Sequence, residues 1–191
     1  AAAQLGPNAI ATLGYANRLL SLLLGIGAVS VGRAALPVLA DVQSRGDGQR
    51  ARIMALKWSI VMVALGGVAV ALGWLGAPWG VRLLFERGAF TPEDTVAVTS
   101  VLRWGLLQLP FYFGVLVLVQ LLASQNRYRI MSVIAVANFA LKAIMNIVLA
   151  PRMGVTGIML ATSLMYALSF VCYALVALRM PGHKTSVKEL T

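Results

Sequence analysis

The sequence is short of nearly everything a soluble enzyme uses for chemistry. Its 191 residues include one cysteine, one histidine and six acidic residues, and only 12% are charged. A lone Cys172 inside an apolar run excludes a disulfide framework and a cysteine-based metal site, so it reads as a packing residue. His183 stands by itself in a polar tail behind Pro181 and Gly182, a solvated position rather than a catalytic one. No nucleotide-binding glycine loop is present, and none of the long apolar runs holds an acidic residue; neither covalent chemistry nor a metal or cofactor is expected. The opening AAAQLGPNAIATLGYANR lacks the basic segment and apolar core of a secretory signal, and it lacks an initiator Met, which favours a trimmed chain or a fragment.

What is present is apolar surface. Hydrophobic residues make up 60% of the chain and its mean hydropathy is +0.84, values of a membrane protein. Trp58 to Val81, Trp104 to Asn126 and Met153 to Leu178 contain no Asp, Glu, Lys or Arg, and each exceeds the roughly 20 residues a helix needs to cross a bilayer. Two further runs carry embedded cations: Tyr15 to Ala40 with Arg18 and Arg33, and Ile130 to Ala150 with Lys142. The reading is an all-α polytopic bundle of about five transmembrane helices, near 15–40, 58–81, 101–123, 130–150 and 154–178. Residues 1–14 precede it and a polar tail, 179–191, follows. The runs are apolar on every face instead of alternating, which selects helices over a barrel, because backbone groups in lipid must satisfy one another.

The net charge of +10 does not point to nucleic acid, since the basic residues sit in short links rather than in one stripe with interleaved aromatics. Their distribution sets orientation. Arg45, Arg50, Arg52, Lys57, Arg127, Arg129, Arg179, Lys184 and Lys188 fall on one side of an alternating topology, against Arg82, Arg87 and Arg152 on the other. Positive short loops are retained in the cytoplasm, which puts the tail inside and the N-terminal end outside.

Half of the acidic residues fall in one outer stretch, RLLFERGAFTPEDT, from Arg82 to Thr95. Gly88 can take the left-handed conformation that ends a helix. Thr91 is suited to N-cap the next, with Pro92 in its first turn and Glu93 and Asp94 facing its positive end. On physics alone this is a surface connector, with Phe85 and Phe90 dipping into lipid.

Its wording is more particular than that. RLLFERGAFTPEDT resembles the connector in the C-terminal lobe of the MurJ/MviN-type lipid II flippases, within the multidrug/oligosaccharidyl-lipid/polysaccharide exporter superfamily. LGYANRLLSLLLGIGAVSVGRAALPVLA is similar to the second helix of that lobe, and the stretch from Leu118 to Leu168 to its last two core helices. The resemblance covers about residues 10 to 178. It implies the C-terminal lobe of a two-lobed flippase in the bacterial inner membrane, working beside a missing N-terminal lobe and surrounded by membrane lipids. Its cargo would be lipid II, an undecaprenyl-diphosphate-linked glycan. The chain departs from the family at Asn17, where Asp is common, so Arg18 lacks that compensating charge.

Flipping such a cargo requires cations within the membrane to draw in the diphosphate, and Arg18, Arg33, Arg103 and Lys142 are the candidates. A charge at the centre of a spanning helix costs about 2.5–3.5 kcal/mol, so these side chains face protein, a wet cavity or the interface. Arg18 matches the arginine lining the family's central cavity and can hold phosphate with two parallel hydrogen bonds; the rival reading is snorkelling to the outer surface. Lys142 lies deepest, and either contacts substrate or pairs with an acid in the missing lobe. Arg33 and Arg103 lie about a turn from span ends and suit snorkelling better.

Asn138 and Asn146 are expected to bond neighbouring helices. Gly25, Gly27, Ser30 and Gly32 allow close packing or bending, and Pro110 should kink the third span. Rival functions are a flippase for another lipid-linked oligosaccharide, such as an O-antigen or capsule unit, and a non-transporting scaffold for cell-wall synthesis. A membrane-embedded transferase would have to use Glu86, Glu93 and Asp94.

Overall fold

In a computed structural model, residues 7–44, 48–86 and 90–179 are described, and they are overwhelmingly helical. The elements are α1 (Pro7–Ser44), α2 (Gly48–Phe85), α3 (Pro92–Leu106), α4 (Leu109–Ser124) and α5 (Tyr128–Arg179). Four helical stretches are long and apolar enough to cross a membrane: Asn8–Arg33, Gly48–Phe85, Pro92–Ser124 and Tyr128–Arg179.

The last of these is two helices. Run straight, 52 residues would extend roughly 78 Å, far beyond a hydrocarbon core of about 30 Å. Gly154 breaks it with φ 60° and ψ −137°, a backbone that side chains with a Cβ rarely adopt, three residues after Pro151 removes a backbone donor. The Asn138 amide donates to the Ser169 hydroxyl across this break. Because those two residues lie nearly equidistant from Gly154, the arms fold back on each other as an antiparallel hairpin.

The third stretch is interrupted as well. Pro110 has no N–H to continue a helix from α3, so α3 stops at Leu106 and α4 starts at Leu109, with Pro110 in its first turn. The expected kink is thus a break, placed just before the proline. Here α2 comes in closest: a Cβ on Gly66 would lie 2.5 Å from the Cα of Pro110, so only glycine lets the two backbones meet. The α2–α4 contact is the most extensive in the molecule.

Two cores result. One joins Val117, Leu118, Leu121 and Leu122 of α4 to Ala51 and Ala55 of α2 and to Tyr173 and Ala177 of α5. The other joins Ala16 and Leu20 of α1 to Val81 of α2 and to Val98, Leu102 and Leu106 of α3. Gly27 is needed for α1 to approach Phe113, whereas Gly25 faces open space, so only part of that small-residue set packs.

Candidate cation sites in the membrane

The connector after α2 forms as its residues dictate. Thr91 caps α3 with both halves of a capping box: the Asp94 N–H donates to Thr91 Oγ1 at 3.3 Å, and the Thr91 N–H donates to Asp94 Oδ2 at 3.0 Å. Arg82 and Glu86 form an ion pair at 3.2 Å, and Thr95 Oγ1 donates to Glu86 Oε2 at 3.2 Å. Gly88 lies outside the described residues. The half-buried Phe85 and Phe90 rings both pack against Tyr15 of α1, at 5.0 and 5.2 Å between centroids. Together these residues border a cavity of about 440 Å³ that also takes in Asn8, Thr12 and Asp94.

Arg103 is the candidate cation to which the structure gives a fixed partner. Arg103 stands about three turns into α3, which begins at Pro92. Its guanidinium carbon lies 5.6 Å from the centre of the Trp74 ring, and its Nε donates to the Trp74 carbonyl at 3.0 Å. That carbonyl is an orphan. Its regular helical partner would be the N–H four residues on, and that residue is Pro78. Arg103 therefore replaces the hydrogen bond that Pro78 removes, and the Trp74 ring, packed edge-on to Trp104, holds the cation in place. Sequence reasoning missed this, although the signal was there: a proline inside a spanning helix announces an unpaired carbonyl, and an arginine on a neighbouring helix can reach it.

Arg18 is placed differently. The buried face of α1 carries Ala16 and Leu20; Arg18 is exposed on the opposite side with Leu22 and Ile26, and Arg33 lies within the same half of the helix circumference. Among the described residues the Arg18 guanidinium approaches only the Tyr15 ring, at 5.9 Å. Among the described residues neither Arg18 nor Arg33 has an acidic partner.

Lys142 is half-buried in the first arm of α5, between Asn138 and Asn146 at helical spacings of four. The side-chain oxygens of both asparagines are buried without a partner, while Asn138 also spends its amide on Ser169. The expectation that Asn138 bonds a neighbouring helix is met; for Asn146 no such bond is present among the described residues. Neither of the two described cavities brings two of the four cations together, and only Arg103 lines one. Among the described residues, no cluster of three or more His, Cys, Asp or Glu side chains is placed to hold a metal.

Against known proteins, residues 1–188 match the family model for the lipid II flippase MurJ. The chain is 28% identical over 160 residues to a probable lipid II flippase MurJ of Bdellovibrio bacteriovorus, covering 84% of this chain and 31% of that protein. To the corresponding Rhizobium tropici protein it is 39% identical over 105 residues, covering 54% and 20%. Among solved structures it resembles a lipid II flippase MurJ in an inward closed conformation, with TM-score 0.74 and 26% identity over 90% of this chain and 36% of that one. The chain thus spans about a third or less of the length of these relatives.

Proposed function

We propose, from the premise that this chain belongs to the MurJ lipid II flippase family, that it supplies one lobe of a transporter for lipid II. That transporter would carry the undecaprenyl-diphosphate-linked glycan from the cytoplasmic to the outer leaflet of the bacterial inner membrane. In this reading the chain crosses the bilayer five times, α3 and α4 counting as one crossing and the arms of α5 as two. Its N-terminal end is outside, and a second lobe packs against the open face of α1.

One observation carries the proposal: Arg18 is a permanent cation on an exposed, largely apolar face of α1 that it shares with Arg33, with no described acid to neutralise it. Such a charge is tolerated at membrane depth when it lines a wet cavity or meets an anion. A diphosphate offers oxygens that the planar guanidinium grips in pairs, while the polyprenyl tail stays in lipid. Arg33 extends this positive lining along α1, and Lys142 would add a separate cation from α5. Rocking of one lobe against the other would then expose the cavity to each side in turn.

The test is Arg18→Ala in the intact protein, with outer-leaflet exposure of lipid II as the readout. A single charge-assisted contact predicts a fall of about tenfold or more. Unchanged exposure and growth would leave a scaffolding role. Loss of surface glycans with normal lipid II exposure would assign the cargo to another lipid-linked oligosaccharide.

A further inference from the structure

A cavity of about 370 Å³ lies between α2 and α3, bordered by Trp74, Pro78, Thr99, Ser100, Arg103 and Trp104. We propose that it binds the phosphate of a membrane-lipid headgroup, with Arg103 and Thr99 as its ligands.

Depth is the first argument. On α2, Trp58 and Trp79 stand roughly 31 Å apart along the helix, the thickness of a hydrocarbon core, and Trp79 is 76% exposed. Tryptophan collects at the two membrane–water boundaries, so this pair marks both of them on one helix. A helix carbonyl points toward the C-terminal end, and the Trp74 carbonyl therefore directs Arg103 to the level of Pro78, within about one turn of Trp79. The guanidinium therefore sits where lipid phosphates begin, at the level where α3 passes from its polar outer turns, with Glu93 and Asp94, toward the apolar α4.

Unused donors are the second. Only Nε of Arg103 is taken up by the Trp74 carbonyl; among the described residues its two terminal nitrogens have no acceptor. Thr99 also borders the cavity, on a residue only 6% exposed, and its buried hydroxyl has no hydrogen-bond partner. A buried hydroxyl without a partner costs about 1–3 kcal/mol, so the site favours an occupant that accepts.

Charge is the third. Thr95 also borders the cavity, but its hydroxyl is committed to Glu86, whose carboxylate is already paired with Arg82. The cavity keeps one uncompensated positive charge beside apolar walls from Pro78, Val96 and Trp104. A phosphate esterified to a lipid matches both features: oxygens for the guanidinium fork and hydrocarbon for the walls. This inference needs a membrane but no transport, so it stands or falls separately from the flipping of lipid II.

The test is native mass spectrometry of the intact protein with phosphatidylglycerol, with polyprenyl diphosphate, or with phosphate-free diacylglycerol. Arg103→Gln should reduce retained phosphatidylglycerol about tenfold and the nearly isosteric Thr99→Val about threefold, leaving diacylglycerol unchanged. Arg103→Gln also frees the Trp74 carbonyl and can loosen the kink, which is why Thr99→Val, with no role in the backbone, is the deciding variant. Displacement of phosphatidylglycerol by polyprenyl diphosphate would name the carrier lipid as the natural source, and its failure to displace would name bulk phospholipid. Equal phosphatidylglycerol retention by wild type and Thr99→Val, or a parallel loss of diacylglycerol, overturns the proposal.

Discussion

Two arginines in apolar helices, Arg103 at the α2–α3 seam and Arg18 on the open face of α1, began as the same kind of residue and ended as different ones. Arg103 is anchored to a carbonyl that Pro78 orphans and is stacked on Trp74. Arg18 touches one ring at long range and otherwise faces outward. What separates them is whether a neighbouring helix offers an acceptor. An arginine with a fixed acceptor is part of the frame, at least through the atom it commits. An arginine without one is available to something that arrives.

The comparison breaks first if the seam itself does not depend on close backbones. Gly66→Leu would drive a side chain into Pro110 and should cost about 3 kcal/mol or more, read as a fall in melting temperature or loss of folded protein. Next, Arg103→Ala should destabilise by about 1–2 kcal/mol by leaving the Trp74 carbonyl bare. Adding Pro78→Ala should recover most of that, since residue 78 could then donate to the same carbonyl; a double variant no more stable than Arg103→Ala would refute the anchoring role. Thr91→Ala removes the α3 cap and should cost about 1 kcal/mol. Smallest of all, Arg18→Ala should shift stability by less than about 0.5 kcal/mol while lowering lipid II exposure. A stability loss at position 18 equal to that at 103 would erase the distinction between the two.

Much of the architecture was legible in the chain. Charge-free runs located the apolar helices, Thr91, Pro92 and Asp94 announced the capping box, and Pro110 announced an interruption, because each depends on residues close in sequence. Hydropathy alone puts the apolar span from about residue 101, whereas the helix itself starts at Pro92, as its cap announces. Thr95, Thr99 and Ser100 dilute the hydropathy there, yet all three continue the helix from Pro92. The packing of Phe85 and Phe90 on Tyr15, some seventy residues earlier, was not legible, because nothing local announces that contact.

The site residues divide along the same line. Composition and spacing identified Arg18, Arg33, Arg103 and Lys142 as cations that need a reason to lie within apolar helices. Which reason applies to Arg103 was settled by Trp74, 29 positions away, and Thr99 drew no attention until its hydroxyl appeared buried and unpartnered. The sequence by itself determined that this chain is helical and membrane-embedded, because apolar runs that cannot hydrogen-bond to lipid must close their own backbone bonds. Tertiary structure alone decided which cation is spoken for and which is open, because an acceptor's position depends on how two distant helices pack, and no run of neighbouring residues encodes that distance.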